Sequence, residues 1–421
     1  MMISGVLIPK PSTMNLTKLV LSTLLSFLIS VSFCQSMPGS AYNIFGIGSL
    51  EKTGLVSFKG MGNVGIAVRS PEDVNLKNPA ALNAITGYNQ IFDGGFTYSR
   101  LSQQSDNKSF STSNGGVNSL NYWFRNSSKM AMSFGFEKVS DASYDITDSN
   151  SGVNTFGIDE TRHLGGGGAS SFYVGAGYEL IANLNVGLKF NLLFGSIEQS
   201  EIFYSQDLIS EFLVEENQRF TASGIELGFQ YGIPIGENKK ITLGSIFKSG
   251  SKVRLSHEGS IMSASDTITS SSEYSSLIIP PKFGLGLGMQ IKSWNFNLDY
   301  EVENWQRNEE ESNYAFNKRT ELAGGISFQK DRSSTTYFNR AIFRVGGSLS
   351  TNYIKIGGTD HLQASFSAGL GLPIGRRGTI NLAYQYVNNG LYASDLIYEQ
   401  YHAFSLGFSF KNVWFLDGKY D

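Results

Sequence analysis

The residues that could make or break bonds are few, and their spacing does not suit it. His163, His257, His361 and His402 stand far apart, and no two form a His-x-x-x-His pair. With Cys34 as the only cysteine, a structural zinc site has no ligand set. No Gly-x-Ser-x-Gly string occurs, so the nucleophile elbow of the common hydrolases has no counterpart. Gly60-x-Gly62-x-x-Gly65 spells the dinucleotide fingerprint, but that motif works only ahead of a long helix in a βαβ unit, and strand-like sequence follows it here. What remains is charge at every second position: Asp299, Glu301 and Glu303, with Lys189 and Glu226 in similar settings. Such spacing puts all three acids on one face of a strand. That face could bind a cation or steer a polar head group; the favoured reading is that it faces a wet interior and pairs with Lys189 or with arginines opposite. Glu309-Glu310-Glu311 reads as a solvated loop run. The expectation is a protein without catalysis, cofactor or metal.

The elements that would position these charges are strands. Gly accounts for 47 of 421 residues, aromatics for 13% and charged residues for only 16%, against usual values of about 7% Gly and about 25% charged. Gly disfavours helices, and 41% apolar residues give ample material to bury. A net charge of −3 offers nothing to nucleic acid. Period-2 alternation dominates from residue 89 onward. Trp294, Phe296, Leu298, Tyr300 and Val302 alternate with Asn295, Asn297, Asp299, Glu301 and Glu303. The same pattern recurs at 184–194, 225–233, 380–386 and 404–410, the non-apolar face often being Gly. A soluble sandwich would show shorter strands. Long strands with aromatics near their ends, apolar out and polar in, fit a barrel in lipid, where only a closed sheet leaves no unpaired backbone.

Connections alternate too. Short links fall at 126–129, 182–183, 236–239, 292–293 and 375–378, and long polar ones at 101–114, 147–166, 205–218, 261–274, 307–318 and 388–399. Short turns at one end and long loops at the other describe an outer-membrane barrel. The expected fold is all-β, a transmembrane antiparallel β-barrel of about fourteen strands over 89–411, with the pattern thinnest over 331–360. Residues 412–421 form a periplasmic tail. Pro280-Pro281 marks either a kink that opens the wall or, twice as plausible on this pattern, a bent rim above the membrane.

Lys18 followed by the apolar run Leu19–Phe33 reads as a secretory leader over 1–34, with Met14 as a credible start and Gln35 as the new N-terminus. Retention of an acylated Cys34 is the rival, disfavoured by the bulky Phe33. Cleavage removes the only cysteine, so the exported protein has no disulfide.

Residues 35–88 do not alternate. They carry Gly60-Met61-Gly62-Asn63-Val64-Gly65, then Ser70-Pro71 and Asn78-Pro79-Ala80, each pair a cap ahead of a proline that can open a helical turn. The three glycines are expected to let the chain bend through positive φ. The Gly-x-Gly stretch followed by Asn-Pro-Ala, ahead of about fourteen strands, resembles the FadL/TodX family of outer-membrane transporters for hydrophobic compounds; Gly369-Leu370-Gly371-Leu372-Pro373 and the aromatic closing strand resemble it in style. The resemblance implies that 35–88 is a hatch inside the barrel, with Asn78, Pro79 and Ala80 near the periplasmic exit. It further implies passive, hatch-gated uptake or transfer of hydrophobic small molecules such as long-chain fatty acids or other lipids, in contact with outer-membrane lipids. Some barrels of that family act instead as shuttles or anchors in protein secretion, which makes a secretion-system protein the alternative partner. An open porin is the third reading, and the hatch argues against it.

Overall fold

The computed structural model describes residues 39–52, 54–105, 108–149, 158, 160–204, 212–262, 267–307, 314–356, 362–375, 377–390 and 397–412. The leader, its cleavage point, Glu309-Glu310-Glu311, His361 and most of the tail lie outside them.

Fourteen antiparallel strands close into one barrel. They are β1 (Gln90–Ser105), β2 (Lys108–Arg125), β3 (Met130–Lys138, continued by Tyr144–Ser149), β4 (Glu160–Ile181), β5 (Leu184–Tyr204), β6 (Phe212–Pro234) and β7 (Lys239–Lys248, continued by Ser251–Met262). The second half comprises β8 (Thr267–Ile279, continued by Lys282–Ile291), β9 (Trp294–Asn304), β10 (Lys318–Phe328), β11 (Ile342–Thr351), β12 (Leu362–Ile374), β13 (Gly378–Asn389) and β14 (Tyr398–Asn412). Each pairs with its neighbour in sequence, and β14 closes on β1 from Gln90↔Asn412 to Gln104↔Tyr398. Alternation assigns the faces: Leu298 is 48% exposed and its neighbour Asp299 only 1%, so successive residues point to lipid and lumen.

One expectation needs correcting, and one weak stretch of the pattern proves to be a strand. Much of the long polar links is ladder rather than loop: Gln103↔Phe110, Thr161↔Phe203 and Ile261↔Ile268 are paired positions. Above the lipid both faces of a strand are wet, so the alternation fades while the backbone hydrogen bonds continue. And β11 runs through the segment where the pattern was thinnest, entered from an unusually long link at the short-turn end that holds a helical turn, Tyr337–Arg340.

Pro280 and Pro281 interrupt β8 opposite a matching break at Ser249-Gly250 in β7. The β8–β9 ladder is complete below them, from Lys282↔Glu303 to Ile291↔Trp294, so the prolines bend the rim. The wall is incomplete elsewhere. β2 and β3 share a ladder only from Ser119↔Glu137 to Arg125↔Ala131. Beyond it, among the described residues, β2 pairs with β1 alone, while Ser140–Asp141 leaves the wall to pair with Ser49–Leu50 in the lumen.

Candidate functional site

The lumen is filled by the chain's own N-terminal segment, and the contact between that segment and the inner wall is the candidate site. From Leu55 to Ile85 the segment folds around a small core of its own. Leu55, Phe58, Met61, Val64, Val74, Leu76 and Leu82 pack together and close against Ile91, Trp123 and Tyr173 of the wall. Local structure comes from short signals. Val56–Lys59 forms one helical turn ended by Gly60, and Pro79–Ala84 forms a 3-10 turn in which Asn78 Oδ1 accepts from the Ala80 amide at 3.0 Å. Ser70 caps without a helix: its Oγ accepts from the amides of Glu72 (3.2 Å) and Asp73 (2.9 Å) in a simple bend.

The three hatch glycines divide their roles, which corrects the expectation that each supplies positive φ. Gly62 alone does, at φ 67°. Gly60 matters for approach, since a Cβ there would lie 2.7 Å from the Gly369 Cα across the wall. Gly65 is pressed against Lys77, whose Cβ would stand 2.9 Å from any added carbon. This is why the inner face is so rich in glycine: backbone meets backbone. Gly177, Gly187 and Gly228 likewise leave room for Asn78, Pro79 and Ala80, which are all buried.

Asp299 lies at the centre of the lower contact. Its Oδ2 accepts from the Gly65 amide at 2.7 Å and the Ile66 amide at 3.0 Å, and Lys77 Nζ stands 3.4 Å away. Lys77 also pairs with Glu301 and donates to the Asn63 carbonyl at 2.8 Å. Burial alone would push the Lys77 ammonium down; Glu301 and Asp299 outweigh that and hold its pKa above the ordinary lysine value. Glu303 is held from both neighbouring strands, by Lys282 at 2.7 Å and Arg319 at 3.2 Å. Lys189 and Glu226 belong to a second group: Lys189 lies 3.2 Å from Glu137 and 3.7 Å from Glu226, and donates to the Leu76 carbonyl at 3.2 Å. Asn78 Nδ2 ties the turn down, donating to the carbonyls of Ile66 (2.7 Å) and Phe229 (3.2 Å).

Of the cations expected to answer these acids, an arginine opposite does so, Arg319, whereas Lys189 does not, and Lys282 and Lys77 lie outside the sequence expectation. Lys282 and Arg319 sit directly opposite Glu303 in register, a signal visible once strands are aligned. Lys77 lies outside any strand and carried no such signal. At the short-turn mouth a further ring fixes the hatch, with Asp73 on Arg344 at 2.8 Å and Glu72 between Arg332 (2.6 Å) and Lys411 (3.2 Å). Burial would raise the Asp73 carboxyl, but Arg344 and Lys411 hold it below the usual carboxylate value.

The long-loop half of the lumen is filled differently. Residues 39–50 reach it, with Ser40 Oγ donating to Glu399 at 2.8 Å. Ile47 packs into an apolar cluster with Phe220, Val253, Leu255, Trp305, Phe316 and Tyr353, joined by Phe45 and Leu50. Beside this upper plug a cavity of about 210 Å³ remains, and Lys52, Lys59, Asn118, Lys138, Asp141 and Arg319 are among its lining residues. It reaches the break between β2 and β3, which the Asn114 amide spans by donating to Asp141 at 2.9 Å.

A closed, even-stranded barrel with an apolar outer band and its N-terminal segment in the lumen has the fold of the FadL/TodX barrels. Several solved structures share this fold, three of them as follows. A FadL homologue from Pseudomonas aeruginosa aligns with a TM-score of 0.62 at 13% identity over 86% of this chain and 99% of its own. The CymD monoaromatic hydrocarbon channel aligns at 0.58 and 13%, over 89% and 99%. The toluene transporter TodX of Pseudomonas putida aligns at 0.57 and 14%, over 87% and 100%. The chain belongs to the BamG family, whose model matches residues 16–421. No curated protein matches its sequence.

Proposed function

We propose that this protein is a closed, hatch-gated outer-membrane channel that admits a hydrophobic small molecule from the side, through the break between β2 and β3. The observation that carries the reading is that this break meets the luminal cavity at the top of the outer apolar band. Leu120 and Phe136 lie on the lipid side just below it, and Val117 and Lys138 just above. A molecule dissolved in the outer leaflet would reach the lumen there without crossing water. The cavity's lining mixes cations with Glu51 and Asp141, and Lys52, Lys59, Lys138 and Arg319 are each paired with an acid. The proposed class is therefore a hydrophobic small molecule, with a fatty acid as the probe. The chain contains no nucleotide-binding element to drive flow, so the substrate's own gradient would. Asp299 and Lys77 are the proposed lock, and Gly60, Gly62, Gly65, Asn78, Pro79 and Ala80 the proposed moving part. The test is uptake of a spin-labelled or fluorescent fatty acid into vesicles bearing the protein. Crosslinking Asn114→Cys to Ser143→Cys across the break should abolish uptake and reduction should restore it; uptake unchanged by the crosslink would end this reading.

A second reading is favoured by the upper plug. The apolar side chains that could line a pocket, Trp305, Phe316, Tyr353 and Phe220, are already buried against the chain's own residues. A barrel sealed in this way would serve as a membrane-held partner of another protein, such as one in secretion. Affinity purification from native membranes separates the two: a stoichiometric protein supports the partner, and bound lipid supports the channel.

A further inference from the structure

The outer wall carries a second feature, a depression of about 860 Å³ on the lipid side of β2 to β7. Its lower edge is apolar, formed by Phe136 and Phe194 at the top of the outer band; its floor is backbone, because Gly167, Gly168 and Gly195 line it. Register then places two arginines on its far side. Thr221 lies opposite both Phe194 and Arg254, and Arg219 lies opposite both Ser196 and Ser256. Arg219 and Arg254 are therefore diagonal neighbours on the outward face, within reach of one small group. Both are exposed, and among the described residues neither guanidinium has an ion pair or hydrogen bond. The charged residues facing them are few. Lys138, at the opposite edge, is committed to Asp141, and Glu198 and Glu258 stand opposite Asn217, one row further from the membrane.

We infer that this depression binds the phosphate of an anionic lipid of the outer leaflet, with Arg219 and Arg254 on the phosphate and the acyl chains lying down the apolar wall below. The height fits: the outward residues of β6 run Ile233, Tyr231, Phe229, Leu227 and Ile225 before turning polar at Ser223, so Arg219 sits where head groups lie. The chemistry fits as well. Planar guanidinium groups take phosphate oxygens in pairs, and the hydroxyls of Ser196, Thr221 and Ser256 can donate to those that remain. Bare backbone at the floor lets a head group settle against the wall. The depression adjoins the β2–β3 break, sharing Val117, Phe136 and Lys138 with its edges, but Arg219 and Arg254 lie on the outer wall beyond it, and the assignment does not rest on either functional reading.

The test uses the full chain in nanodiscs of phosphatidylcholine with or without a bis-phosphorylated lipid A, followed by native mass spectrometry after gentle release. The wild type should retain the phosphorylated lipid in preference to phosphatidylcholine. Arg219→Gln with Arg254→Gln should lower that retention by about tenfold or more, whereas the double change to Lys, which keeps the charge, should lose less. Lys239→Gln, at the short-turn end, should have no effect. Heat-modifiable migration checks that each variant is folded, and the Lys pair provides the comparison should the Gln pair fail to fold. Equal retention by the wild type and the Gln pair overturns the site. Displacement of the lipid by millimolar inorganic phosphate would show a free-phosphate site and overturn the lipid assignment.

Discussion

The two halves of the lumen are closed by one continuous segment that mixes charge and apolar packing in different proportions. The lower hatch, residues 55–88, meets the wall through backbone and charge: Asp299 grips two amides, Lys77 bridges to Asp299 and Glu301, and Arg344 and Lys411 hold the mouth. The upper plug, residues 39–50, adds rings and apolar packing, with Phe45 at 4.9 Å from Tyr314 and Ile47 in the cluster around Trp305 and Tyr353, to neutral and single-acid hydrogen bonds such as those of Ser40 to Glu399 and of the Tyr353 hydroxyl to the Gly48 carbonyl. Hydrogen-bonded charge fixes one geometry and fails when a partner is lost. Apolar packing is non-directional and is roughly proportional to area. A lock is expected where geometry is specified, and a filler where only volume is.

The largest effect should come from removing both. Deleting residues 39–84 behind a working leader should leave a folded barrel with raised single-channel conductance, because the wall ladder is complete without them except at the β2–β3 break. Deleting only 39–50 should leave conductance near that of the full chain. If the shorter deletion opens the barrel as widely as the longer one, the lower hatch is no lock.

Asp299→Asn attacks the lock alone. It removes one of the two charges facing Lys77 while keeping the shape, and because Glu301 still pairs with Lys77 the cost should stay at or below the roughly 3–5 kcal/mol of a buried pair broken from one side. Amide exchange over 60–66 should accelerate by roughly 10- to 100-fold or more, with 45–50 unchanged. Replacing both, Lys77→Met with Asp299→Leu, should cost more than Asp299→Asn, since it also leaves the Gly65 and Ile66 amides without an acceptor and takes a cation from Glu301.

Asn78→Ala sits one step down, because it removes one cap and the donor to Ile66 and Phe229 while the ion pairs remain. Cap losses run at about 0.5–2 kcal/mol. Exchange at Ala80 to Leu82 should rise by roughly 2- to 30-fold, with heat-modifiable migration unaltered.

The same contrast explains what could be read in advance. Wall strands announce themselves because lipid and lumen demand different side chains on alternate residues, so Leu298 and Asp299 declare their faces. Strand ends above the lipid do not, since neither face is apolar there and only the ladder persists. The hatch carried its glycines and its Asn-Pro-Ala turn openly, but not their purpose. Gly60 is small because of Gly369, three hundred residues away in sequence, and a close approach of that kind has no local signature. Lys77 and the upper plug were hidden for the same reason: a residue whose partners come from distant strands has no period to give it away.

The smallest expected effect tests whether the two plugs are separate. The Tyr353 hydroxyl donates to the buried Gly48 carbonyl at 2.6 Å, while its ring packs on Trp305 and Phe316. Tyr353→Phe keeps the ring and removes the donor, so the apolar filling survives and one hydrogen bond does not. A bond of this kind contributes about 0.5–1.5 kcal/mol net, with more at stake when an acceptor is left buried. Amide exchange over 46–50 should therefore rise by roughly 2- to 13-fold. Distant sites without shared partners usually act independently, so exchange over 60–66 should not move, and combining Tyr353→Phe with Asp299→Asn should give simply additive costs. A shift at 60–66 from Tyr353→Phe alone would mean that the segment closes as one body, and that a ligand loosening the rings above could release the lock below.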